Sequence, residues 1–467
     1  VSILVQHQSS FRDPAGFVFE HDGIIYRQVN KAGSEDYEHF INSGLYQKLV
    51  DKGWLVAHTE VSNLKDFGED VKRFKVIKPE KIDFISYPYE WTFHQLQDAA
   101  LLTLKAQKLA LEHGMILKDA SAYNVQFVGK KPVFIDTLSF WRYNEGDPWE
   151  GYKQFCQHFV APLALCSYST PEVLKTLQVF LDGIPLQVAA KLLPSKARLR
   201  RGLLAHIYLH AASQKRYDKL DASGSKTKKR KVSPMALNGL LTSLEAAVKR
   251  LDLPKRQTQW GDYYNDTNYS EKSFSSKKKL VEQMLAQISP APKMVWDLGA
   301  NDGTFSDIAA KLGAYTVAFD MDSLAVEQNY LKKSKLDNKI LPLVQDLSNP
   351  TPALGWAHSE RHSLEERGPA DVILALALIH HLAITNHSPF SQVASYFAKI
   401  SRYLIIEFVP KEDSKVQLLL SAFSRNSFAG YTTENFEKAF LKHFELVDKK
   451  PVQGSHRVIY LYKSKAK

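Results

Sequence analysis

Sulfur is scarce in this sequence. Two cysteines, Cys156 and Cys166, occur in 467 residues, which excludes a disulfide framework and a cysteine-rich zinc module. A reducing cytoplasm suits that usage. No apolar run reaches the roughly 18–20 residues that span a bilayer. The longest candidate, Val372 to Ile379, has the length of a strand. The first residues, Val1-Ser-Ile, lack the charged-then-apolar order of a signal peptide. Glycine and proline show no low-complexity bias, no internal repeat is visible, and no Gly-x-Gly-x-x-Gly occurs, so a dinucleotide pyrophosphate site is disfavoured. What is present is the balance of a folded soluble protein, 44% hydrophobic and 24% charged. The length predicts two or three domains rather than one core.

The net charge is +11, and it is local. From Lys191 to Arg256 there are 17 Lys/Arg against 4 Asp/Glu, whereas the remaining residues hold 44 against 46. The densest part, Lys226-Thr-Lys-Lys-Arg-Lys-Val232, follows Asp-Ala-Ser-Gly-Ser and precedes Ser-Pro. That setting reads as an exposed connector, and a basic run of this kind also resembles a nuclear-import signal. Residues 191–256 are therefore either a solvated linker or an electrostatic recruiter of nucleic acid.

Three stretches emerge. Residues 1–210 combine short β-rich segments (Phe17-Val-Phe, Ile24-Ile-Tyr) with helical patterns such as Leu96 to Glu112, predicting an α+β domain. Residues 211–259 form a basic connector with an amphipathic helix from Met235 to Leu251. From 260 to 467 strands and helices alternate, the pattern of an open, mostly parallel α/β sheet. Strands are expected at Met294–Leu298, Tyr315–Asp320, Ile340–Val344, Asp371–Leu376 and Tyr403–Phe408, with Glu445–Asp448 and Arg457–Tyr462 closing the sheet as an antiparallel pair.

The first of these strands ends Asp297-Leu-Gly299-Ala-Asn301-Asp-Gly303. A strand turning sharply into a helix exposes backbone N–H groups, and its glycines let a ligand approach the main chain. The second strand ends at Asp320, placed to accept hydrogen bonds from a ribose diol, and the third leads to Gln345-Asp346, suited to an adenine edge. An acid just before the turn, Asp297, would repel a pyrophosphate and attract the cationic methionyl group of S-adenosylmethionine.

These motifs resemble the class I S-adenosylmethionine-dependent methyltransferases. The resemblance implies a Rossmann-like seven-stranded sheet, with cofactor contacts from Asp297, Gly299, Asn301, Gly303, Asp320, Asp346 and Leu376. Asn301 departs from the third glycine that many members carry there. Several strings, among them Trp260-Gly-Asp-Tyr-Tyr, Ser363-Leu-Glu-Glu-Arg-Gly-Pro-Ala-Asp371, Leu376-Ala-Leu-Ile-His-His-Leu382 and Glu407-Phe-Val-Pro-Lys411, resemble a bacterial group of nodulation-protein-like methyltransferases.

His380 and His381 follow the fourth strand, the position that lies beside the sulfonium in this fold. Each is a candidate proton acceptor for an attacking O–H or N–H; alternatively, one caps the strand end while the other packs. As neighbours on an extended segment they diverge, so no metal pair is expected. The stretch Gly355 to Gly368 lines a substrate pocket or caps the cofactor, and Trp260, Tyr263 and Tyr264 cover the cofactor or seal the domain edge. Asn349-Pro350 precedes the fourth strand, so it is not the motif of exocyclic-amine DNA methyltransferases. A small-molecule acceptor, a macromolecular acceptor recruited through the basic segment, and a non-catalytic binding module are the competing functions, and no membrane partner is expected.

In the amino-terminal stretch, Asp119 and Asn124 are separated by four residues, and Asp136 ends a strand soon after. This spacing resembles the catalytic and metal-binding loops of kinase-like phosphotransferases, with Asp119 as base and Asn124 and Asp136 as magnesium ligands. Thr137 stands where Phe-Gly is usual, no glycine-rich loop precedes, and Arg27 and Lys31 are poor substitutes for the phosphate-binding lysine. A degenerate kinase-like domain is expected, recognisable by convergence of Asp119, Asn124 and Asp136.

Overall fold

The computed structural model describes residues 5–64, 67–215, 231–254, 271–421 and 428–465. The chain divides into two compact units, Val1–Lys255 with Leu354–Arg361, and Arg256–Ala353 with His362–Lys467.

In the first unit, β1 (Val5–Gln6), β2 (Gly16–His21), β3 (Ile24–Asn30), β4 (His58–Glu60) and β5 (Arg73–Pro79) form an antiparallel sheet ordered β1-β2-β3-β5-β4. The β2–β3 hairpin turns at Asp22-Gly23, both with positive φ (50° and 73°), as a two-residue turn between right-twisted strands requires. The helix Phe93–Glu112 follows. It starts three residues before its expected position because Thr92 and Gln95 cap each other's backbone N–H groups. Two small pairs come next, β6 (Met115–Leu117) with β9 (Phe140–Arg142) and β7 (Val125–Val128) with β8 (Lys131–Phe134).

The connector expected at 211–259 is not free-standing over its described part. Ser233 caps the helix Pro234–Lys249, whose Leu237, Leu241, Leu244 and Val248 are buried. Gln97, on the long helix, donates to the Val248 and Leu251 carbonyls at 3.0 and 2.9 Å, and Lys108 pairs with Glu245. An apolar stripe of that width gains more by docking than by staying in water. Residues 226–230 and Trp260, Tyr263 and Tyr264 lie outside the described residues.

The second unit is built on β10 (Met294–Leu298), β11 (Tyr315–Asp320), β12 (Ile340–Val344), β13 (Ala370–Ala375), β14 (Ser401–Phe408), β15 (Phe444–Pro451) and β16 (Val458–Ser464). Their order is β12-β11-β10-β13-β14-β16-β15. The first five are parallel and β16 runs antiparallel to both neighbours. Each parallel strand reads as an apolar run, and Val295, Val317, Leu341, Ile373 and Ile405 are all fully buried. Chain order reverses at β10, which has β11 on one side and β13 on the other. Ligands of open α/β sheets bind outside the carboxyl ends of the strands at such a reversal.

Candidate active site

The turn after β10 is pinned from below: the Gly299 and Ala300 N–H groups both donate to the Phe319 carbonyl of β11, at 2.8 and 2.9 Å. Gly303 caps the helix Thr304–Lys311 with φ 81°, and a Cβ built there would lie 2.5 Å from the Asn329 amide. Glycine is required on both counts. Asn301 takes φ 49°, a left-handed conformation that Asn tolerates better than most residues, which accounts for its presence in place of a third glycine.

Asp320, at the end of β11, braces this turn. Its Oδ2 accepts from the Asn301 N–H and its Oδ1 from the Asp322 N–H, both at 2.9 Å. Burial raises its pKa, opposed by those backbone donors. Each oxygen retains acceptor capacity for a diol. Asp346 is partly exposed beyond β12, its Oδ1 taking the Ser348 N–H and hydroxyl in a local turn. Gln345 is buried and committed to Thr351 and to the Asp346 carbonyl. Leu376 belongs to the hydrophobic core of the unit, so its side chain packs and only its main chain is suited to ligand contact.

Asp297 points among buried groups. Ser306 Oγ donates to its Oδ2 at 2.7 Å. Burial, with the neighbouring Asp320 and Asp302, pushes this carboxyl up to about 7, against the opposing pull of Ser306 and Lys277. Beyond β13, Ala377 adopts φ 53° and Leu378 sits 3.6 Å from where a Gly299 Cβ would be. His380 is 2% exposed, and among the described residues nothing hydrogen-bonds its Nδ1. Burial drives its pKa well below the usual value, helped by His381, Arg457 and Lys277. His381, its ring centroid 4.2 Å away, is shifted down by burial and by Arg457. His387 stacks on Phe428 in the following loop.

The site also holds groups that sequence reasoning missed. Lys277, Glu407, Asp413 and Arg457 form a buried network of ion pairs in this unit. A signal was available: Lys277 falls on the helical stripe shared with Val281, Met284 and Leu285, and Glu407 interrupts the apolar run of β14. Buried charges of opposite sign need one another.

Of Gly355 to Gly368, residues 355–361 belong to the first unit. There Glu360 pairs with Arg12, and the Arg361 guanidinium lies 4.2 Å from the Tyr123 ring centroid. Asp119, Asn124 and Asp136 share one cluster. Asn124 Nδ2 donates to Ser139 Oγ at 3.3 Å, and that hydroxyl donates to Asp136 at 2.5 Å. Burial and the charge of Asp136 raise Asp119. Asp136 is pushed up by burial yet lies below the usual range, because Arg27 pairs with it at 2.5 Å and Ser139 and Lys118 assist. Arg27 thus pairs with Asp136, one of the two expected magnesium ligands.

Nodulation protein NoeA of Rhizobium meliloti (strain 1021) is 34% identical over 460 residues, which cover 97% of this chain and 95% of that protein. The chain belongs to the NoeA family. No family model matches it. Its second unit has a Rossmann-like seven-stranded sheet, as its strand order shows. Solved structures similar to the NoeA-family chain include magnesium protoporphyrin IX methyltransferase of Synechocystis PCC 6803 with bound SAH (18% identity, TM-score 0.32, 44% of this chain and 92% of that one). The N-methyltransferase NodS of Bradyrhizobium japonicum WM9 matches at 10% identity and TM-score 0.30, over 42% and 98% of the two chains. WbdD, described as a bifunctional kinase-methyltransferase, matches at 16% and TM-score 0.29, over 43% of this chain and 42% of that one.

Proposed function

We propose that this NoeA-family chain transfers a methyl group from S-adenosylmethionine to an oxygen or nitrogen of a small molecule. The observation that carries the reading is the alignment of Asp297, the Gly299–Gly303 turn, Asp320 and Asp346 along neighbouring strand ends, beside a buried imidazole whose Nδ1 hydrogen-bonds no described group. The cradle fits the cofactor: both Asp320 oxygens keep acceptor capacity for a diol, and Gly299 leaves the main chain of the turn open beside Leu378. Asp320 would hold the ribose, Asp346 the adenine edge and Asp297 the methionyl ammonium. When bound, S-adenosylmethionine supplies an electrophilic methyl carbon.

His380, kept neutral by burial, accepts the proton at Nδ1 as the acceptor's O–H or N–H attacks. The proton given up by the acceptor would rest on the His380 imidazole, while Asp297 and Asp320 would hold the cofactor in place. His381 flanks this ring. Residues 1–210 act as a degenerate kinase-like domain, and 260–467 carry the chemistry. The two buried thiols, Cys156 and Cys166, suit a reducing cytoplasm, and among the described residues no helix is long and apolar enough to cross a membrane.

Calorimetry with S-adenosylhomocysteine tests the cofactor assignment, with micromolar affinity expected. Mass spectrometry of a molecule retained beside Ile379–Leu382 tests the acceptor class. The local basic excess of 191–256 favours a second reading, in which an RNA or protein acceptor is recruited electrostatically. A gel-shift assay with mixed RNA across a salt series separates the two.

A further inference from the structure

From Leu186 to Leu209 the first unit is assembled from short pieces: the helix Leu186–Leu192, the tight turn Ser195–Leu199, and the helical segments Arg201–Leu203 and Leu204–Leu209. Leu186, Ala189, Leu193, Ala197, Leu203 and Ile207 are buried and hold these pieces on the core. Other leucines of the same stretch turn outward. Leu199 is 85% exposed, Leu192 66%, Leu209 60% and Leu204 37%. A single exposed leucine is ordinary, but four between positions 192 and 209 form a concentration that soluble surfaces avoid.

Their surroundings carry one sign of charge. Residues 191–215 contain Lys191, Lys196, Arg198, Arg200, Arg201 and Lys215, all exposed, and no acidic residue. Packing draws the pieces together. The Tyr208 hydroxyl donates to the Pro194 carbonyl at 3.5 Å, and the Arg198 guanidinium lies 4.8 Å from the Tyr208 ring centroid. Lys196 and Arg200 lie over the Tyr168 ring, at 5.9 and 5.5 Å. The turn that carries Leu199 is thereby fixed beside the segment that carries Leu209.

This combination selects among anionic partners. Single-stranded nucleic acid is gripped by aromatic faces on which bases stack. Tyr208 is the one Phe, Tyr or Trp among residues 191–215, and both its ring and that of Tyr168 already meet cations. A duplex backbone would use the charges and leave the leucines in water. An anionic bilayer uses both: aliphatic side chains enter the acyl boundary while Lys and Arg reach the headgroup phosphates.

We propose that residues 191–209 form a peripheral membrane-binding surface, with Leu192, Leu199 and Leu209 entering the interface of an anionic bilayer and Lys196, Arg198, Arg200 and Arg201 meeting its headgroups. The argument is independent of the cofactor site. It departs from the expectation of no membrane partner, which came from the lack of a spanning run; an interfacial contact needs none.

The test is co-sedimentation of the full chain with phosphatidylcholine vesicles, with and without phosphatidylserine. Binding is expected to the anionic vesicles and to fall as salt is raised. The double variant Leu192→Ser/Leu199→Ser keeps every charge of the chain. It is expected to bind at least about tenfold more weakly, since two leucine side chains no longer leave water. Its melting temperature should match the wild type, because both side chains are exposed; Leu209→Ser and Arg201→Glu, each expected to weaken binding, are second routes should the double variant misfold. A folded double variant that binds anionic vesicles as well as the wild type overturns the proposal, the attraction then being charge alone. So does a wild type that leaves anionic vesicles unbound. In that event, an RNA gel shift lost in Arg201→Glu alone assigns the surface to nucleic acid, and a lipid-free oligomer dissolved by the leucine substitutions assigns it to a second copy of the chain.

Discussion

Asp320 serves two masters, a fact that only the structure reveals. It was expected as a ribose ligand, and it also fastens the Asn301 and Asp322 backbone N–H groups. Asp320→Ala is expected to weaken S-adenosylhomocysteine binding by about 1.5–3 kcal/mol, the range for hydrogen bonds to a charged group, and to lower the melting temperature as well. Unchanged affinity by calorimetry would sink the ribose assignment, with Asp322 next in line. Asp297 carries a pH dependence whose sign can be worked out. Its folded-state pKa, about 7, lies above the usual carboxyl value because burial disfavours the anion. The stabilising contribution is thus fully present below about pH 4 and is lost as pH rises through 7. Relative to Asp297→Asn, the wild type is expected to lose melting temperature over that window. Its cofactor affinity should gain over the upper part of the same window, since the ammonium needs the anion.

At the scale of elements, the parallel strands were the most legible part. Met294–Leu298, Tyr315–Asp320 and Ile340–Val344 emerge with the expected boundaries, because strands buried on both faces have no polar register to disguise them. The helix Ser414–Ser421 was not foreseen; its exposed Leu418 and single buried Val416 make a weak stripe. The buried network escaped for a different reason. Lys277 and Glu407 are 130 positions apart, and no local pattern pairs residues at that distance, although each is an anomaly within its own apolar stripe. The glycine turn, by contrast, is written in adjacent residues. Gly303→Ala would combine φ 81° with a side chain driven into Asn329. It is expected to cost at least about 1–3 kcal/mol of stability by denaturant unfolding and to reduce cofactor affinity with it. A wild-type unfolding curve in that variant would mean that the turn tolerates a Cβ.

For the molecule as a whole, charge and chemistry sit apart in the sequence. The basic excess falls in 191–256, whereas the candidate methyl-transfer residues all lie beyond 270. If the run at Lys226 to Lys231 is only solvated chain, then changing Lys226, Lys228, Lys229, Arg230 and Lys231 to Ser is expected to leave melting temperature and cofactor affinity unaltered. A loss of RNA binding confined to low salt would point to recruitment instead. In the amino-terminal unit the spacing of Asp119, Asn124 and Asp136 was readable, but the partner of Asp136 was not, since Arg27 comes from β3, in a sheet to which Asp136 does not belong. Arg27→Ala leaves that carboxylate largely enclosed without its cation. A loss of about 3 kcal/mol is expected in denaturant unfolding, much of it recovered when Asp136→Asn is added.

The order of strands has a consequence for synthesis. The strand β16 is not an edge: it lies between β14 and β15, both made before it, and is hydrogen-bonded to both. Until residue 464 is available, β14 has an open flank and β15 has no neighbour in the sheet. The half-made sheet therefore presents unpaired backbone to other nascent chains for as long as translation lasts. Ribosome stalling between β15 and β16 would then expose this protein to aggregation through the open flank of β14.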